Sequence, residues 1–225
     1  MKKDKKLIIF GIGETADLAY HYFSADTPYT VVAFSVNKEF IKEEFNLGLP
    51  VVDFQEIQQI YPPDLYEMFI AISSTKLNRN RTQFYNEAKL LGYKLASYIS
   101  SHAYVGFQTE IGDNCFILEH NTIQPFVKIG NNVTLWSGNH IGHRSIIHDN
   151  CFITSHVVVS GFCEIGKNCF IGVNSSIADY VKIGDDCLIG LGSIIAKSIP
   201  SNSIYKSQYS KKQIITAKQF YNIND

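Results

Sequence analysis

From Ile99 to Ile195, every sixth residue of the chain is Ile, Val or Leu, without a break. Glycine often comes next, as in Ile111-Gly112, Ile141-Gly142 and Ile165-Gly166, where a chain turning after an inward side chain gains from lacking Cβ. Six residues per face and three faces close an 18-residue coil, with the aliphatic side chains stacked inside a triangular prism. At about 4.8 Å between successive strands, this hexapeptide solenoid rises roughly 25 Å in a little over five coils. Before residue 99 the pattern differs. "KKLIIFG" reads as a strand, and "TADLAYHYFS" (15–24) as a helix with Ala16, Ala19, Tyr20 and Phe23 on one side. "YTVVAFSV" (29–36) and "MFIAIS" (68–73) are further strands, and "NRTQFYNEAKLLG" (80–92) is a helix closed by Gly92. That alternation predicts a small α/β domain with a mostly parallel sheet. The division expected is therefore 1–98 for the α/β domain, 99–200 for the solenoid, and 201–225 for a C-terminal cap or tail.

Composition narrows the function. A net charge of −1 with 18% charged residues argues against a nucleic-acid surface, and the short basic start "MKKDKK" reads as a solvated terminus. The longest apolar runs fall far short of the roughly 20 residues that cross a bilayer, and no signal-peptide pattern opens the chain. A soluble cytoplasmic protein without membrane insertion is expected. Cys115, Cys151, Cys163, Cys169 and Cys187 all take the fourth place after a corner aliphatic, a place otherwise filled mostly by small residues. Inward, reduced thiols fit that phase better than a zinc site or an acylated nucleophile.

Two stretches carry candidate chemistry. In "GIGETA", Gly11 and Gly13 would let the chain approach a phosphate or nucleoside at a helix N-terminus. The third glycine of a dinucleotide fingerprint is absent, Glu14 places charge beside the site, and Asn37 stands where NAD binding wants an acid. A structural turn and a nucleotide-sugar contact both remain open; hydride transfer does not fit. In "LWSGNHIGHRSIIHDNCFITSH" (135–156), His143 falls two residues past a corner and should point outward, with Pro125 below and Gly161 above. It reads either as a plain surface histidine or as a general base. His140 and His156 suit structure or substrate contact, and His148 a turn. A metal cluster is not expected, because six-residue geometry spreads these rings over different faces.

With "GIGETA", the sixfold repeat and "SGNHIGHRS" (137–145), the sequence resembles the NeuD-type bacterial sugar O- and N-acetyltransferases. The resemblance implies a Rossmann-like nucleotide-sugar domain followed by a left-handed parallel β-helix, assembled as a homotrimer with acetyl-CoA between neighbours. It implies N-acetylation of a UDP- or dTDP-linked 3- or 4-amino sugar in surface-glycan synthesis, with His143 as base and no metal. By the same resemblance, Gly161 contacts the acyl arm and supplies an oxyanion N–H. Phe152, Gly172 and Gly190 join it as cofactor-binding candidates, and Gly11, Gly13, Glu14, Trp136 and His140 as substrate-binding ones. The sequence departs from the family pattern in several places. Gly142 and Arg144 flank His143 where an acidic neighbour is common, Phe152 replaces a histidine, and Ser207, Gln208 and Tyr209 replace a Gly-x-Pro-Ala stretch. O-acetylation of a sugar or sialic acid, a zinc carbonic anhydrase and a non-catalytic trimeric scaffold are the rival readings.

Overall fold

The structure is a computed structural model that describes residues 3–223. Residues 1–2 and 224–225, the outer ends of the expected N-terminal domain and C-terminal tail, lie outside the described residues. The first region is a mixed α/β layer: β1 (Lys5–Phe10), α1 (Glu14–Asp26), β2 (Tyr29–Val36), β3 (Phe45–Asn46), β4 (Leu49–Asp53), α2 (Ile57–Ile60), β5 (Glu67–Ile70) and α3 (Arg79–Leu90). The sheet order is β3-β4-β2-β1-β5, parallel except for the β3–β4 hairpin. That hairpin is absent from the pattern of apolar runs, because Leu47 and Gly48 make its turn at φ 46° and 78° and leucine is an unusual residue there. Central β1 is buried on both faces. Leu7 and Ile9 pack with Ala16, Ala19 and Phe23 of α1, whereas Ile8 and Phe10 pack with Tyr85 and Ala88 of α3.

Behind it runs a left-handed parallel β-helix of two-residue strands, whose partners lie one coil apart, as in Thr122–Ile123 beside His140–Ile141 beside Val158–Val159. Three sheets form its faces. The first holds Phe116–Ile117, Thr134–Leu135 and Phe152–Ile153; the second holds His140–Ile141; the third holds Ile146–Ile147. Corner aliphatics and all five cysteines fill the interior. Burial pushes the Cys115 thiol up to about 12, so it stays protonated. Ile99 and Val105, in the first coil, remain 37% and 38% exposed, since no coil lies beneath them.

The third residue after each corner aliphatic commonly turns left-handed. Asn114, Asn132, Asn150, Asn168 and Asp186 do so at φ 51° to 63°, a conformation Asn and Asp tolerate. Their side chains form a ladder: each Asn Nδ2 donates to the next residue's Oδ1, at 2.8, 2.9, 3.2 and 3.1 Å. At the ladder's foot, Asn114 Oδ1 accepts the N–H of Ile70 in β5 at 2.8 Å. At its head, Asp186 pairs with Arg79 of α3.

The α/β region docks on the first face. Tyr98, Phe116, Leu118 and Trp136 share one apolar cluster with Leu7, Ile9 and Phe69. Arg81 is buried there, donating to Thr134 Oγ1, Asn132 O at 2.9 Å and Cys151 O at 3.1 Å, with its guanidinium 5.4 Å over the Phe152 ring. Burial lowers its pKa to about 10, which still leaves it charged at neutral pH. At the far end, Ile204–Tyr205 adds a strand beside Leu188–Ile189, and Ser207 Oγ donates to Leu191 O at 2.6 Å. Residues 208–223 are exposed, including the short helix α4 (Ala217–Phe220). No helix among the described residues is long and apolar enough to cross a membrane.

Candidate active site

The corner between the second and third faces stacks Phe107, Pro125, His143, Gly161 and Asp179, each 18 residues above the last. His143 is exposed on it. Its backbone N–H donates to Gln124 Oε1 at 2.8 Å, and its ring Nδ1 lies 3.1 Å from that oxygen. Phe162 meets the ring edge-on at 5.0 Å and in turn stacks on Tyr180 at 4.9 Å. Gly161 is the floor against which the ring rests: a Cβ there would sit 2.7 Å from His143 Cε1 and 3.1 Å from Nε2. The Gly161 N–H donates to Asp179 Oδ1 at 2.9 Å. Gln124 supplies the orienting contact that no acidic neighbour provides; sequence reading missed it because its register to His143 is 19 residues.

A second concavity of about 290 Å³ opens beyond the carboxyl ends of β1, β2 and β5, lined by Gly11, Gly13, Asn37, Phe40, Asn80 and Phe84 among others. In open α/β sheets this is where ligands bind. Gly11 has a structural reason to be glycine, with φ 128° and a virtual Cβ 2.8 Å from Ala71 O. Gly13 has none, since a Cβ there would touch nothing within 4 Å, so its bare backbone leaves the mouth of the crevice open. It N-caps α1 without a side-chain hydrogen bond, and Glu14 starts the helix exposed.

The other candidates divide. Trp136, Gly172 and Gly190 line the corner between the first and second faces, across the second face from His143, and half-buried His140 lies on the strand between them. One chain does not bring that corner to His143. Gly172 and Gly190 are close-approach positions of the coil stack, with virtual Cβ atoms 2.5 Å from Leu191 N and 3.2 Å from Lys206 Cγ. Phe152 is buried in the seam beneath Arg81, stacked 5.8 Å from Phe170. His120 and His156 turn corners at φ 59° and 57°, while His148 lies 3.1 Å from Glu164. Among the described residues, no three His, Cys, Asp or Glu side chains are grouped to hold a metal.

Residues 108–143, 126–161 and 162–197 match the sequence family described as bacterial transferase hexapeptide (six repeats). No curated protein matches the chain by sequence. Among solved structures, the acetyltransferase domain of PglB from Neisseria gonorrhoeae superposes on this hexapeptide array and its α/β region with TM-score 0.81 at 20% identity, covering 91% of this chain and 97% of that one. A variant of perosamine N-acetyltransferase from Caulobacter crescentus, in complex with CoA and GDP-perosamine, gives 0.81 at 23% identity, covering 90% and 93%. WeeI from Acinetobacter baumannii gives 0.77 at 18%, covering 89% and 96%. At these identities the likeness is one of fold, and it extends to the union of both regions.

Proposed function

We propose that this protein is an acetyl-CoA-dependent N-acetyltransferase acting on a nucleotide-linked amino sugar, with His143 as general base. The carrying observation is an exposed imidazole held by Gln124 against the side-chain-free floor of Gly161. The nucleotide occupies the crevice at Gly11 and Gly13, beyond the strand ends. A solved relative of the same two-part fold in complex with CoA and a nucleotide-linked sugar supports this pairing of sites. The sugar amine attacks the thioester carbonyl, His143 takes the proton lost by the nitrogen, and that proton leaves with the CoA thiolate as the C–S bond breaks. Transfer is direct, because the cysteines face the interior and the thiol of Cys115 is held protonated. The enzyme works as a homotrimer: a second copy is what can bring a corner carrying Trp136, Gly172 and Gly190 beside His143, and acetyl-CoA lies in that groove.

The test is thiol release from acetyl-CoA with a panel of UDP-, dTDP- and GDP-linked amino sugars, for the wild type and His143→Ala, with mass spectrometry of the product. We expect turnover on one amino sugar and a loss of about 10²- to 10⁴-fold in the variant. Equal rates in the two proteins would remove His143 from the mechanism. Acetylation found only on hydroxyl groups would make the acceptor oxygen.

A further inference from the structure

The geometry points to Gln124 as the positioning residue that sets the tautomer of His143, protonating Nδ1 and leaving the lone pair on Nε2. This inference rests on His143 being the base. The argument begins with one oxygen and two contacts. A backbone N–H can only donate, so the Gln124 atom that meets the His143 N–H at 2.8 Å is the amide oxygen and not the amide nitrogen. The same atom lies 3.1 Å from Nδ1. An amide oxygen only accepts, so Nδ1 carries hydrogen, and the basic nitrogen of the neutral ring is Nε2. The backbone contact thereby fixes the amide orientation, and the amide fixes the ring.

The fold explains why Gln124 reaches. Gly106 and Gly142 share its phase in the coils below and above, and their virtual Cβ atoms lie 2.5 Å from Pro125 N and from Gly161 N respectively. Side chains at this phase therefore aim at the corner peptide of the next coil, which for Gln124 is the peptide entering His143. Its own backbone is pinned by the N–H bond to Ile141 O at 2.9 Å, and the proline that follows restricts it further. A carboxylate adjacent to the histidine would orient the ring and also favour the imidazolium; a neutral amide does the first without the second. The remaining groups facing the ring are Asp179, which reaches down to Gly161 N–H, Arg144, whose guanidinium lies 4.5 Å over Phe126, and the stacked pair Phe162 and Tyr180.

Two variants separate geometry from charge. Gln124→Leu removes the acceptor, and Gln124→Glu keeps it and adds a negative charge. In Gln124→Leu we expect kcat to fall by about 100-fold, the cost of losing ring orientation, with the KM for acetyl-CoA unchanged. In Gln124→Glu, activity should persist at high pH while the acidic limb of the pH–rate profile moves up by about one unit. The tautomer is read without substrate, by long-range ¹H–¹⁵N NMR of histidine-labelled protein at pH 8.5, with His143 assigned by difference from His143→Ala. The wild type should show hydrogen on Nδ1 and Gln124→Leu a shift toward Nε2. Hydrogen on Nε2 in the wild type, or an unchanged tautomer in Gln124→Leu, would overturn the inference. A wild type that transfers no acetyl group would sink the acetyltransferase reading while leaving the NMR result to decide the role of Gln124.

Discussion

Gly161 shows what a missing atom leaves room for beside an exposed imidazole. Its backbone is free of the left-handed strain that would demand glycine, yet a Cβ would come within 2.7 Å of His143 Cε1, closer than real contacts allow. Gly161→Ala should therefore push the ring off its floor while the coil folds as before. We expect the acetyl-transfer rate to fall by about 100-fold, the scale of a misplacement near 1 Å. The melting temperature should move by less than a few degrees, since no left-handed backbone strain arises there. A variant as active as wild type would mean that the ring position seen here is not the working one. Gly11 makes the contrast, because its φ of 128° predicts a folding defect for any substitution.

At the scale of elements, the Asn ladder joins coil geometry to docking. Asn150 turns its corner at φ 63°, accepts from Asn132 and donates to Asn168. Asn150→Ala loses both hydrogen bonds and forces alanine into a left-handed turn, which should cost about 2 kcal/mol. Asn150→Gly relieves the turn and should cost about half as much. Thermal unfolding of both variants checks the ordering, and equal losses would assign the whole effect to the side-chain ladder. The solenoid was legible because its period is carried by one residue class at one spacing, and the cysteines and turn glycines fell into fixed phases of it. The ladder was equally periodic but lay outside the apolar signal. Gln124 and Arg81 were hidden for another reason: each acts through side-chain direction, across one coil or across the seam between the two regions, where sequence spacing says nothing. Phe152, to which resemblance gave a ligand role, packs beneath Arg81 in the seam, a contact that spacing could not predict.

The molecule as a whole depends on a seam whose polar contacts include ionised carboxylates. Asp26 of α1 accepts from Tyr98 OH at 3.0 Å and from the Ser101 N–H at 2.8 Å. Glu119, on the β-helix, accepts from Tyr22 OH at 2.9 Å and from Ser137 Oγ at 2.7 Å. Burial alone would raise both pKa values, but for Asp26 the bonds from Ser101 and Tyr98 outweigh it, and for Glu119 those from Ser137 and Tyr22 do, so both are lowered. The Tyr22 phenol is raised to about 12 by burial and then by Glu119, so it remains a donor throughout the working range. A lowered carboxylate contributes its full stability above its unfolded pKa, about 3.9 for Asp and 4.3 for Glu, and loses it as pH falls through the folded value. Stability should thus be flat in these two groups near neutrality and decline below about pH 4 as their protonation begins to uncouple the α/β region from the first face. Asp26→Asn removes one of the two titrations. Its urea midpoint, followed from pH 6 to pH 2.5, should start lower than wild type and fall less steeply, so that the two curves converge in acid. Parallel curves would show that Asp26 does not titrate differently in the folded and unfolded chain, and would leave the acid response of the seam to Glu119 and its partners.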